Sequence, residues 1–130
     1  MPKKSFESLL LKAIDEGLST LGDSPKQAVY FYLEKKFKIK KHEIPYKIED
    51  FVDALEKIFG LGAKFLEILI IKQLYEKVEQ IFEWNEGQTD LIFTEYVVAA
   101  RRSFLKKKQL QVQYTGKELE EGILTFGETY

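Results

Sequence analysis

Apolar positions recur along most of this chain at the three-four spacing of a helix face, and polar or glycine-bearing breaks divide them into five segments. The first predicted helix spans Ser5 to Leu21. Phe6, Leu10, Ile14, Leu18 and Leu21 form its stripe, widened by Leu9 and Ala13. Gly17 interrupts it at a cost of about 1 kcal/mol against alanine, so a closely packed neighbour is expected there. Gly22 stands where glycine commonly ends a helix. Asp23 or Ser24 as cap and Pro25 in the first turn open a second helix, which runs to about Phe37. Its Ala28, Val29, Tyr32, Leu33 and Phe37 share one face. Tyr30 and Phe31 carry aromatic surface elsewhere, which predicts contact on more than one side.

Lys38 to Tyr46, KIKKHEIPY, reads as a connector. Pro45 disfavours helical geometry at Ile44, and Ile39 and Ile44 are the expected apolar anchors. A third helix, about Lys47 to Phe59, sets Ile48, Phe51, Val52, Leu55, Ile58 and Phe59 against Glu49, Asp50, Asp53 and Glu56. Gly60 stops it, and Leu61 falls where a Schellman motif places its apolar contact. The fourth helix, about Gly62 to Glu83, is the longest expected. Leu66, Leu69, Ile70, Leu74, Val78, Ile81 and Phe82 make its stripe, while Phe65, Ile68, Ile71 and Tyr75 lie partly outside it. Trp84 to Asp90 reads as a loop. A fifth helix follows from Leu91 or Thr94 to Lys108, with Tyr96, Val97, Ala100, Phe104 and Leu105 inward. Beyond it, Leu110, Val112 and Tyr114 alternate with glutamines, so residues 109–130 read as a strand-like or irregular tail, with Gly122 to Thr125 as a possible hairpin partner.

The expected fold is therefore all-α: one domain over residues 1–130, about five helices around a long central fourth, with the third helix packed antiparallel on it. Of the 130 residues, 45% are hydrophobic and 32% charged, a balance that sustains a folded core and argues against disorder. The absence of cysteine removes disulfides and sulfur-ligated metals. Glu7, Lys12, Asp15 and Glu16 break the N-terminal apolar run, unlike a signal peptide, and Glu67, Lys72 and Gln73 break the most apolar stretch. A cytoplasmic protein with no membrane partner is the expectation.

No nucleophile, base or metal motif is present, so the expectation is no enzyme activity, no catalytic residue, no metal site and no cofactor. His42, the single histidine, has no constellation around it. The carboxylates Asp15-Glu16, Glu49-Asp50-Asp53 and Glu118-Glu120-Glu121 read as solvated faces. Gly60-Leu61-Gly62 lacks both a preceding strand and a following Lys-Ser/Thr, so it fits no phosphate-binding loop. Two basic clusters stand out: Lys35, Lys36, Lys38, Lys40, Lys41 and His42, and Arg101, Arg102 and Lys106 to Lys108. With Tyr30, Tyr32 and Tyr46 close to the first in sequence, they suggest phosphate neutralisation and base stacking. The net charge of −1 weighs against a dedicated duplex binder.

One stretch also resembles a known family. Leu21-Gly22, Ser24, Lys26-Gln27-Ala28, Tyr30, Leu33-Glu34-Lys35, Ile44-Pro45 and the run Phe51 to Glu67 are similar to the "Nitrosopumilus output domain" group of small archaeal domains, over Ala13 to Val78. The resemblance implies an archaeal, cytosolic, signalling-associated protein of regulatory or interaction role, and carries no catalytic residues. Together with the apolar circumference of the fourth helix, it leads to a non-catalytic protein-interaction module. A homodimer formed through Phe65, Ile68, Ile71 and Tyr75 is the simplest version, with the alternating C-terminal segment as a second contact. The alternatives are nucleic-acid binding through Lys35 to His42, and a small-ligand cavity lined by Tyr30, Tyr32 or Trp84.

Overall fold

A computed structural model describes residues 5–80 and 92–121. It contains five α-helices: α1 (Phe6–Ser19), α2 (Asp23–Phe37), α3 (Ile48–Phe59), α4 (Ala63–Lys77) and α5 (Phe93–Glu121). Short 3-10 turns at Lys41–Tyr46 and Gly60–Gly62 join α2 to α3 and α3 to α4. The architecture is all-α, and no strand occurs among the described residues.

Local chemistry accounts for the helix ends. Ser5 caps α1: its hydroxyl accepts a hydrogen bond from the Ser8 amide at 3.1 Å. Gly22, at φ 104°, is the N-cap of α2 rather than a stop for α1, and the Lys26 amide donates to its carbonyl. Lys38 ends α2 in the left-handed region at φ 61°, a conformation usually left to glycine or asparagine. Ile44 and Pro45 lie inside a 3-10 turn, contrary to the extended geometry expected before proline. The turn is short enough that few backbone donors are needed, and Ile39 and Ile44 anchor this connector in the core.

The central pair is α1 and α4. The third helix does touch α4, but α4 packs most heavily on α1. Gly17 makes this possible. A Cβ built there would fall 2.5 Å from Ile70 Cγ1 and 3.3 Å from Ile70 Cα, so the two backbones meet where a side chain has no room. Around the pair, α5 lies against α1, α3 and α4. Phe6, Phe51 and Phe93 are fully buried, with Phe51 and Phe93 rings 6.4 Å apart.

Two expectations are corrected. Helix α4 ends at Lys77, short of Glu83, and Glu79 turns the chain at φ 59°. Lys107 reaches over from α5 and donates to the carbonyls of Val78 and Glu79 at 3.2 and 2.8 Å, a cation at the negative end of α4. Residues 109–121 are helical, the continuation of α5, and not a strand. Ile81, Phe82 and Trp84 to Asp90, the proposed hairpin partner Gly122 to Thr125, and the rest of the tail after Glu121 lie outside the described residues.

Candidate interaction surfaces

The residues expected to form a dimer face separate into two sets. Ile71 is fully buried and Tyr75 nearly so, both within the molecule's own core. Helix α5 covers Tyr75: the Tyr75 hydroxyl donates to the Tyr96 carbonyl at 3.0 Å, and the two rings lie 6.1 Å apart. Neither can face a partner in the folded chain. Ile68 is partly buried, and only Phe65, 75% exposed, stands out in solvent. Beside it in sequence, Leu61 is 97% exposed, where a Schellman contact would have buried it. Leu61 and Phe65 project at the α3–α4 corner. In the sequence, the signal is an apolar residue between two glycines, a pattern that equally suits a helix stop.

An apolar groove of about 410 Å³ opens next to this corner, between α2 and the end of α3. Leu21, Pro25, Val29, Tyr32, Ile58 and Phe59 form most of its lining. Because Ile58 and Phe59 directly precede Gly60 and Leu61, groove and projection are neighbours by chain connectivity. A second groove, also about 410 Å³, runs between the start of α3 and α5, lined by Tyr46, Ile48, Val98 and Arg101 among others. Of the residues expected to line a small-ligand cavity, Tyr32 lines the first groove and Tyr30 lines neither, and Trp84 is outside the described residues.

The two basic clusters also differ. In α5, Arg101 pairs with Glu7 and lies 4.6 Å from the Phe6 ring centroid, and Lys107 caps α4. The guanidinium holds the Glu7 carboxyl below its ordinary range despite burial. These cations tie helices together. Along α2 and the following turn, by contrast, Lys35, Lys36, Lys38, Lys40, Lys41 and His42 are all exposed. Of these only Lys41 is ion-paired among the described residues, to Asp15 at 3.4 Å.

Asp15 is a structural hub that the sequence presented as a solvated carboxylate. The Tyr30 hydroxyl donates to it at 2.9 Å and Lys26 at 3.3 Å, which ties α1 to α2 and, through Lys41, to the 3-10 turn. Burial favours the neutral acid, but the Tyr30 hydrogen bond and the two ammonium groups outweigh it, and Asp15 sits below its ordinary range. Burial and the adjacent carboxylate push the Tyr30 phenol upward. Asp15→Ala leaves the buried Tyr30 hydroxyl without its acceptor, and a loss of about 1–3 kcal/mol in chemical denaturation is expected. Tyr30 is therefore committed to the interior, and Tyr46 belongs to the second groove. Of the three tyrosines expected beside the basic cluster, Tyr30 is buried, while Tyr32 and Tyr46 are exposed.

Among the described residues, no group of three or more His, Asp or Glu side chains is arranged to hold a metal, and no helix is long and apolar enough to cross a membrane. Compared with known proteins, the chain matches no family model, no curated protein and no solved structure.

Proposed function

We propose that this chain is a non-catalytic interaction module of archaeal, cytoplasmic signalling or regulation, and that its first partner is a second copy of itself. The observation that carries the reading is the α3–α4 corner, where Leu61 is almost wholly and Phe65 largely exposed beside an apolar groove. A projection adjacent to a groove is self-complementary under a two-fold axis: each copy's Leu61 and Phe65 enter the groove of the other. Burying a large apolar side chain contributes about 1.5–3 kcal/mol, so four of them offer roughly 6–12 kcal/mol against an association cost of about 4–15 kcal/mol. The projecting residues alone thus sit near balance, and contacts along the groove set the affinity. The regulatory setting rests on the resemblance of Ala13 to Val78 to the output-domain group.

Sedimentation velocity at micromolar concentration is the test. The wild-type chain is expected to run as a dimer, and Leu61→Glu/Phe65→Glu as a monomer with unchanged helical circular dichroism. These positions are exposed, so the double variant should fold. Ile71→Glu is expected to unfold the chain instead of dissociating it. A monomeric wild type across this range removes the self-association claim.

A further inference from the structure

The outward face of α2 joins two features that the core does not require. Phe31 is 62% exposed and Tyr32 46%. One turn further on, Lys35 and Lys36 lie over these rings, with Nζ atoms 5.8 and 5.7 Å from the ring centroids of Phe31 and Tyr32 respectively. Lys38 and Lys40 continue the line past the helix end, and these four ammonium groups meet no carboxylate within ion-pair distance among the described residues. The helix dipole explains cations at the last turn of α2. It does not explain two aromatic rings turned to water in the turn before, nor a lysine at Lys38 held at φ 61° where glycine would be less strained.

We propose that this face binds single-stranded nucleic acid. The bases stack on the Phe31 and Tyr32 rings while Lys35, Lys36, Lys38 and Lys40 follow the phosphates. A solvent-exposed aromatic ring suits any base, since every base has a π-face, and flexible lysines along and beyond the helix end suit a flexible strand. An anionic lipid surface would use the same cations but gain nothing from base stacking. The site is separate from the α3–α4 corner except for Tyr32, so its test relies on Phe31 and the lysines.

Fluorescence anisotropy with labelled single-stranded RNA and DNA oligonucleotides of about 20 nucleotides, at about 50 mM salt, tests the proposal. Binding is expected with both, weakening with salt at a log–log slope of about −3 for four phosphate contacts. Phe31→Ala is expected to weaken it between about five-fold and a hundred-fold, with melting temperature unchanged because the ring is exposed. The quadruple Lys35/Lys36/Lys38/Lys40→Glu variant is expected to abolish it. Arg102→Glu and Lys106→Glu on α5 should leave it unaltered. Three outcomes overturn the proposal: no binding at low salt, binding that is indifferent to Phe31→Ala, or preference for duplex or for phosphatidylserine vesicles over the single strand.

Discussion

Gly17→Val is expected to destabilise the protein by about 2–4 kcal/mol, one of the largest effects of any single substitution in the chain. Two terms oppose each other. Replacing a mid-helix glycine removes backbone freedom from the unfolded chain and by itself contributes about 1 kcal/mol of helix stability for alanine, and less for β-branched valine. Against this, the new Cβ meets Ile70 Cγ1 at 2.5 Å, and Ile70 Cα and N at 3.3 and 3.4 Å. Ile70 is fully buried and branched at Cβ, so its Cγ1 has no free rotamer to retreat into. The backbones of α1 and α4 must then separate, which loosens the packing on both sides of the central pair. Gly17→Ala is expected to lose less than Gly17→Val. Urea denaturation of both variants, and of Gly17→Ala combined with Ile70→Ala, checks the cause. Removing Cγ1 should make the alanine at 17 less harmful than it is beside isoleucine, a measurable coupling of the pair. A midpoint unchanged or raised by Gly17→Val would mean that the close approach is not what sets this fold.

The same crossing shows what periodicity can reveal and what it cannot. The apolar stripes of α1 and α3 predicted their buried faces, and Gly17 signalled a close neighbour without naming Ile70. Spacing along one helix says which face is apolar, but not which helix covers it. Spacing points Ile71 and Tyr75 outward for that reason: α4 is apolar around much of its circumference, and within the chain α1, α3 and α5 pack against it. The segment Gln109 to Glu121 departs differently. Its three alternating apolar residues suggest a strand, yet lysine, glutamine, leucine and glutamate are good helix formers. Extending an existing helix also needs no new nucleus, so α5 simply continues. At the candidate surfaces, the basic run was legible as a charge cluster. Its division into cations that brace the fold and cations that face water was not, because that depends on where Asp15, Glu7 and the end of α4 lie in space. Leu61 was hidden by its two glycines, which suit a helix stop equally well whether the residue between them is buried or not.

Glu67 should make stability fall as pH rises through neutrality. It is the one charged residue buried among the described residues, 2% exposed on α4, and its Oε2 has no hydrogen-bond partner there. Burial pushes its pKa up from 4.5 to about 7, helped by the Glu56 carboxylate and opposed by Lys64. The sign follows from linkage. A folded-state value above the unfolded one means that the folded chain binds the proton more tightly. The resulting stabilisation is complete below about 4.5, declines as pH rises, and is gone above about 7. The displacement corresponds to about 1–3 kcal/mol once solvent reaching the carboxyl is allowed for. Asp15 and Glu7 act in the opposite sense, since their lowered values withdraw stability only as pH falls below the ordinary carboxylate range. The interval between about 4.5 and 7 therefore isolates Glu67. The melting temperature is expected to be higher at about pH 5.5 than at about pH 8, and Glu67→Gln should remove most of that difference by stabilising the protein at the higher pH. Glu67→Leu should do the same, because an apolar side chain of similar size needs no partner in that position. If the wild type is instead more stable at about pH 8, or if both variants lose stability there, Glu67 is held ionised by a favourable contact and its burial is not a cost.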